Sequence, residues 1–343
     1  MKIQFVAATT FLVSTSYAST LPRRETSSTD TTSLTFFNGT CTAEKITIRK
    51  EWRNLSDAEK KAYTNAELCL MELPAQTSLS GVTSRFSDLQ GLHRSLTNTS
   101  VGDIIHNVGQ FLPWHRMFMH THETLLREHC NYTGPMSWWD EKLDADSGNF
   151  FQSNMWTDSG IGSNGTGTAS CVTNGPFANT IEHIGPLLEN TDYCLGRAWD
   201  NSLIQYSNSA AVEACTQHND YYSFFNCMVA YPDGPHVAGH TAVGMLMADI
   251  DSSPGDPAFF LHHNYVDRIW WQWQQANASF RMYDMSGNSV NLSLPLNIEN
   301  TPASGWPNTT LDYTLNVADI LPSVSIQTVM NVQGGYLCYK YDY

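Results

Sequence analysis

Apolar positions recur with helical spacing in several stretches of this chain, and most of those stretches carry a histidine. Over residues 56–73 they fall at Ala58, Ala62, Ala66, Leu70 and Leu73, with Asp57 and Glu59 in the first turn and Pro74 as a stop. Residues 84–96 predict a second helix, with His93 near its end. Pro113 suits the first turn of a third, which runs through His115, Phe118 and Leu125 toward Cys130. Residues 236–244 form a short, glycine-containing run with two histidines four apart. Residues 256–274 open on Asp256-Pro257, an N-cap and first-turn pair, and continue as an aromatic helix. Loops rich in Gly, Asn and Pro join these segments, and short alternating apolar runs from Asp312 onward predict small strands. The pattern predicts a mainly α fold, with a central four-helix bundle, long loops and a few short β-strands.

The N-terminus reads differently. Lys2, the modest apolar run 3–13 and Ser16-Tyr17-Ala18 predict a secretory signal peptide over residues 1–18. Residues 19–35 are Ser/Thr-rich and predict a disordered leader or propeptide, with Arg23-Arg24 as a processing site. Residues 36–343 contain no linker or repeat and are expected to form a single catalytic domain. No run is long enough to span a membrane, so export implies a secreted, extracellular protein. The formal net charge of −15 opposes nucleic-acid binding. Eight cysteines without a Cys-x-x-Cys pair predict disulfides rather than tetracysteine zinc, with the pairing open. Sequons at Asn38, Asn54, Asn98, Asn131, Asn164, Asn277, Asn291 and Asn308 predict a glycoprotein.

The candidate chemistry lies in two sets of three histidines: His93, His106 and His115, then His236, His240 and His263. On a helix His236 and His240 project from one face and reach a single ion. His106 and His115 flank a Phe-Leu-Pro bend, which suits a loop residue meeting a helix residue at one metal. His93 and His263 would complete the sets from neighbouring helices, so the bundle would hold a binuclear metal site. His262 points about 100° away from His263 and is read as supporting or packing. His120, His122, His129, His183 and His218 stand in no such spacing. Asp267, four after His263, is expected to orient a ligand imidazole by accepting its far N–H; the competing reading is an ion pair with Arg268 or another base. Imidazole without carboxylate suits copper, zinc or nickel. Two coppers fit O2 chemistry on a phenol, whereas three-histidine zinc fits a Lewis-acid or hydrolytic site.

The motifs IHNVGQFLPWHR, GPHVAGH and DPAFFLHHNYVDRIWW resemble those of the tyrosinase family of type 3 copper proteins, which includes catechol oxidases and haemocyanins. The resemblance covers most of 40–343. It implies two copper ions, the first on His93, His106 and His115 and the second on His236, His240 and His263. Phe259 is similar to the phenylalanine packed under the copper pair, and Arg49 to an arginine that stacks on a C-terminal Tyr-x-Tyr, here Tyr339 to Tyr341. The C-terminal shielding domain of many members would be absent. Ile104 stands where many members carry a thioether cysteine. Val237 replaces an asparagine of strong monophenolases, and residues 224–235 lack their glutamate. A held water normally helps remove the phenol proton there. The resemblance therefore implies a secreted, monomeric or weakly dimeric oxidase of o-diphenols, using O2 and weak on monophenols. The ring of a small phenolic substrate would stack on His263, with Ile250 or Asp251 at the pocket mouth. A secondary-metabolite tailoring enzyme, redox-neutral and zinc-dependent, is the alternative, and an oxygen carrier the third reading.

Overall fold

The computed structural model describes residues 40–291 and 305–343. The expectations for residues 1–18 and 19–35, and the sequon at Asn38, lie outside these. Strand β1 (Thr47–Glu51) leads into α1 (Asp57–Glu72), α2 (Arg85–Thr97) and α3 (Phe111–Cys130). There follow β2 (Ser137–Trp138), α4 (Glu141–Asp146), β3 (Ile181–Glu182), β4 (Tyr193–Cys194), α5 (Ser209–Thr216), α6 (Tyr221–Val229), α7 (Pro235–Val243), α8 (Ala258–Ala276) and α9 (Ala278–Arg281). The last described stretch holds β5 (Thr314–Leu315), β6 (Val324–Ser325), α10 (Ile326–Val329) and β7 (Tyr339–Tyr341).

The five helices legible in the sequence are present. Ser56 caps α1 reciprocally: its Oγ accepts from Glu59 N at 3.2 Å, and Glu59 Oε2 accepts from Ser56 N at 2.8 Å. Ser84 and Ser87 do the same for α2. Pro235 is the first residue of α7. Helix α8 begins at Ala258, just after the expected start, while Asp256 Oδ1 still accepts from Ala258 N at 2.9 Å. Helices α4, α5 and α6 arise where the sequence reads as loop. At 6, 8 and 9 residues they are too short for a clear period. Their only local signal is an Asx cap, at Asp140, Asn208 and Asp220.

Helix α3 is buried from Phe111 through Leu126, as befits the central rod of a helical core, and it packs against α8. Six tryptophans (52, 114, 138, 139, 270 and 273) are fully buried, Trp114 on α3 itself. A parallel sheet in the order β2-β1-β7 brings the last strand beside the first, with Arg49 opposite Tyr341. The Arg49 guanidinium carbon lies 3.6 Å from the Tyr339 ring centre, which is the stacking the resemblance implied. All eight cysteines are paired: Cys41–Cys338, Cys69–Cys130, Cys171–Cys194 and Cys215–Cys227.

Behind the sheet lies a buried ionic cluster. Arg49 donates to Asn264 Oδ1 at 2.8 Å and to Glu123 Oε2 at 3.1 Å. Burial pushes the Glu123 carboxyl up, but the Arg127 and Arg49 guanidiniums outweigh it and hold Glu123 at about 2. Of the sequon asparagines, Asn54, Asn98, Asn131, Asn277 and Asn308 are exposed, whereas Asn291 is fully buried and out of reach of a glycan in the folded chain.

One buried acid behaves oppositely. Burial, with Asp256 nearby, pushes Glu182 on β3 up to about 8. The folded chain therefore favours the protonated acid, and the associated stability is lost as pH rises from the ordinary glutamate value of 4.5 through about 8. Glu182→Gln is expected to be near neutral at pH 5 and stabilising at pH 8, by at most about 1.4 kcal/mol per pH unit. Thermal unfolding at both pH values checks this; a pH-independent difference from wild type counts against it.

Candidate metal centre

Four helices and one loop deliver the histidines. His93 lies on α2, His115 on α3, His236 and His240 on α7, and His263 on α8, while His106 sits in the α2–α3 loop. The ligand nitrogens of His93, His106 and His115 all lie within 4.8 Å of one another. Those of His236, His240 and His263 do so too, together with His262. The two clusters adjoin: the His115 and His263 rings stack with centres 4.4 Å apart. Both triplets are therefore assembled as expected, and His262 joins the second. His120, His122, His129, His183 and His218 stay outside, His122 being paired with Glu67 at 3.0 Å.

The donor atoms fit metal ions. His115 Nδ1–H donates to Phe111 O at 2.9 Å and His240 Nδ1–H to Met247 O at 2.6 Å; His93 Nδ1 faces Asp251 O at 3.2 Å. A carbonyl partner fixes the proton on Nδ1 and leaves Nε2 as a bare lone pair. His93 Nε2, His115 Nε2 and both nitrogens of His236 are buried without a hydrogen-bond partner. His240 Nε2 and His263 Nε2 face each other at 3.2 Å. Burial, with smaller contributions from neighbouring imidazoles, holds His93, His115, His236, His240 and His263 well below the usual histidine range. Neutral imidazoles converging with unpaired lone pairs need cations to satisfy them.

Among the six histidines of the two triplets, only His106 has a carboxylate behind it among the described residues. Asp103 Oδ2 takes His106 Nδ1 at 2.9 Å, and Asp103 Oδ1 accepts from the backbone N–H of Ile105 and His106. The Asp-x-x-His spacing was the available signal, and sequence reasoning missed it. With Ile104 where a thioether would lie, this carboxylate positions the loop imidazole. Asp103→Ala is expected to weaken metal retention at the first site about 10- to 100-fold. Chelator titration with metal analysis checks this; unchanged retention sinks it.

The remaining sequence candidates divide. Phe259 is fully buried under both sets, its ring centre 4.2 Å from His263, 5.6 Å from His93 and 5.7 Å from His240. Val237 and Ile250 line a cavity of about 220 Å³ whose floor carries His106, His236 and His240. Phe111, also missed, lines it as well, 4.6 Å from His115 and 4.7 Å from His236 between ring centres. Two candidates stand in other surroundings than their spacing suggests. His263 is not among the residues lining this cavity: His115 stacks on it, Phe259 packs close, and 1% of it is exposed, whereas His236 and His240 do line it. Asp267 orients no histidine among the described hydrogen bonds. Its carboxylate accepts from Arg116 Nε at 2.5 Å, Tyr339 OH at 2.6 Å and Tyr341 OH, which leaves the competing ion-pair reading with Arg116 as the base.

His262 Nδ1 is held by Glu141, and its Nε2 is buried without a partner. Burial lowers His262 to about 3. It is thus a fourth neutral imidazole beside the second set.

Comparison with known proteins agrees with this geometry. The family model for the common central domain of tyrosinase matches residues 83–276. Tyrosinase P of Aspergillus terreus is 29% identical over 86% of this chain and 91% of its own length. The N-acetyl-6-hydroxytryptophan oxidase ivoB of Emericella nidulans is 28% identical over 88% of this chain and 94% of its own. A variant of polyphenol oxidase from Thermothelomyces thermophila superposes with a TM-score of 0.74 at 27% identity, over 88% of this chain and 90% of that one. A functional unit of octopus haemocyanin shares the fold at a TM-score of 0.53 and 18% identity, over 87% of this chain and 68% of that one. Two adjoining sets of bare imidazole nitrogens are what a pair of copper ions requires, and the chain belongs to the tyrosinase family, which implies such a pair.

Proposed function

We propose that this oxidoreductase is a secreted copper enzyme that oxidises o-diphenols to o-quinones with O2 and acts weakly on monophenols. One observation carries the reading: the bare nitrogens of two adjoining histidine sets lie beneath a cavity whose volume suits a single aromatic ring. Copper bound there supplies the electron exchange between diphenol and O2. Two diphenols each lose two electrons and two protons, and one O2 takes up all four of each to give two waters.

The chain's own residues hold and shape. Asp103, Phe111 O, Asp251 O and Met247 O hold imidazole orientations, so the donor set pays little reorganisation on binding. Phe259 and Phe111 keep the histidine rings dry from two sides. Val237 presents no hydrogen-bonding group, and no described residue lining the cavity is a carboxylate. A phenol that must lose its proton finds no base there besides imidazole, which favours the more acidic diphenols.

Complete pairing of the cysteines suits an oxidising compartment and supports secretion, as do the exposed sequons. Copper is preferred to zinc because the family implies it. The tailoring reading survives as an oxidase acting on a specialised phenol, in keeping with a relative named as an oxidase of a hydroxylated tryptophan derivative.

Metal analysis of the native protein, followed by oxygen uptake, tests the proposal. The expected result is two coppers per chain, rapid uptake with 4-methylcatechol and slow uptake with 4-methylphenol. Zinc occupancy with no uptake on catechols overturns it.

A further inference from the structure

Resting on that reading, we infer that the site selects diphenols whose side chain is uncharged and rejects those carrying a carboxylate. No described residue lining the cavity is Lys, Arg, Asp or Glu. Apart from imidazole, the polar groups it offers belong to Asn107, Tyr231, Thr241 and Ser253, and the Thr241 hydroxyl is already spent on Val237 O at 2.8 Å. The outer wall is uncharged and largely exposed: Tyr231 is 83% exposed and Ile250 41%. With the ring directed at the metals, a side-chain carboxylate lies against this wall, where it loses water and gains no Lys or Arg partner.

Charge around the cavity adds repulsion. Asp103 stands directly behind His106. Asp249, next to Ile250 in the chain, accepts from the backbone N–H of Leu187, Asp251 and Ser252, so its carboxylate is fixed, though it does not itself line the cavity. Asp251, on the other side of Ile250, is tied to Thr97. Arg94 makes no ion pair with either aspartate among the described contacts; its guanidinium is committed to Glu189 O, Asn190 Oδ1 and Ser80 O. A chain with a formal charge of −15 does nothing to offset this. A neutral chain on the substrate ring meets none of these costs and buries its own apolar surface against Val229, Val237 and Ile250.

The test compares an acid with its ester on a ring that cannot form an o-quinone, so binding is read whether or not the protein oxidises catechols. Binding of 3-(2,4-dihydroxyphenyl)propionic acid and of its methyl ester to the copper-loaded protein is measured by calorimetry. The ester is expected to bind about 30-fold more tightly at pH 7. Ile250→Arg, which sets a guanidinium at the rim, is expected to cut that ratio about tenfold. An acid that binds within about threefold of its ester overturns the inference, as does an unchanged ratio in Ile250→Arg. Oxygen uptake with 4-methylcatechol is measured on the same samples. Absent uptake with the ester preference intact would sink the diphenol-oxidase reading and leave the charge selection standing.

Discussion

Replacing His263 by alanine is expected to lower bound copper from two ions to about one per chain and to abolish oxygen uptake on catechols. The expectation follows from its place in the centre. His263 Nε2 faces His240 Nε2 at 3.2 Å, and its ring stacks on His115 of the first set at 4.4 Å. Its loss removes a donor from the second ion and opens a gap beside the first. The neighbouring His262→Ala is the informative control, because its nitrogen also lies within ligand distance of the second set. His262 is anchored through Nδ1 by Glu141, away from the first set, and is expected to be dispensable for holding the second ion. Metal stoichiometry of the two purified variants separates them. Retention of two coppers by His263→Ala, with loss in His262→Ala, would reverse the assignment between the adjacent histidines.

Asp267→Ala is expected to destabilise the fold by about 3–5 kcal/mol, the cost of breaking a buried ion pair. Its carboxylate takes Arg116 and the Tyr339 and Tyr341 hydroxyls, and Arg49 lies 3.7 Å away. Removal leaves two guanidiniums and two phenols buried around a gap. The Arg116 side chain also donates to Val329 O, Met330 O and Gln274, so the damage spreads to the segment that carries α10. Urea unfolding measures the loss. Because Asp267 bonds to no histidine among the described residues, the fraction that remains folded is expected to keep both metals. Loss of metal without loss of stability would restore the imidazole-orienting role.

That contrast shows where the sequence is legible. The i, i+4 pair at His236 and His240, the caps at Ser56 and Ser84 and the turn at Pro235 are local, and local chemistry can be read along the chain. Asp267 lies one turn after His263, so helix spacing alone suggests that it serves that histidine. Its partners instead come from α3 and β7, and no spacing reports them. The same blindness affects His263: only the folded chain brings His115 and Phe259 over it, handing the cavity floor to His106, His236 and His240. Phe111 and Asp103 were within local reach, four and three residues from a ligand, but a phenylalanine and an aspartate at such spacings are common residue types that do not stand out along the chain. The cysteine pairs follow tertiary contacts, and Cys41–Cys338 spans nearly the whole domain.

That last bond has a consequence for cleavage. With a separation of 297 residues, Cys41 and Cys338 close almost the entire described chain into a covalent ring. A protease that nicks any loop inside the ring opens it without releasing a fragment. A nicked sample would run as one species on a denaturing gel and separate only after thiol reduction, so electrophoresis without reductant would overlook processing within these loops. A single cut frees a peptide only outside the ring, before Cys41 or after Cys338.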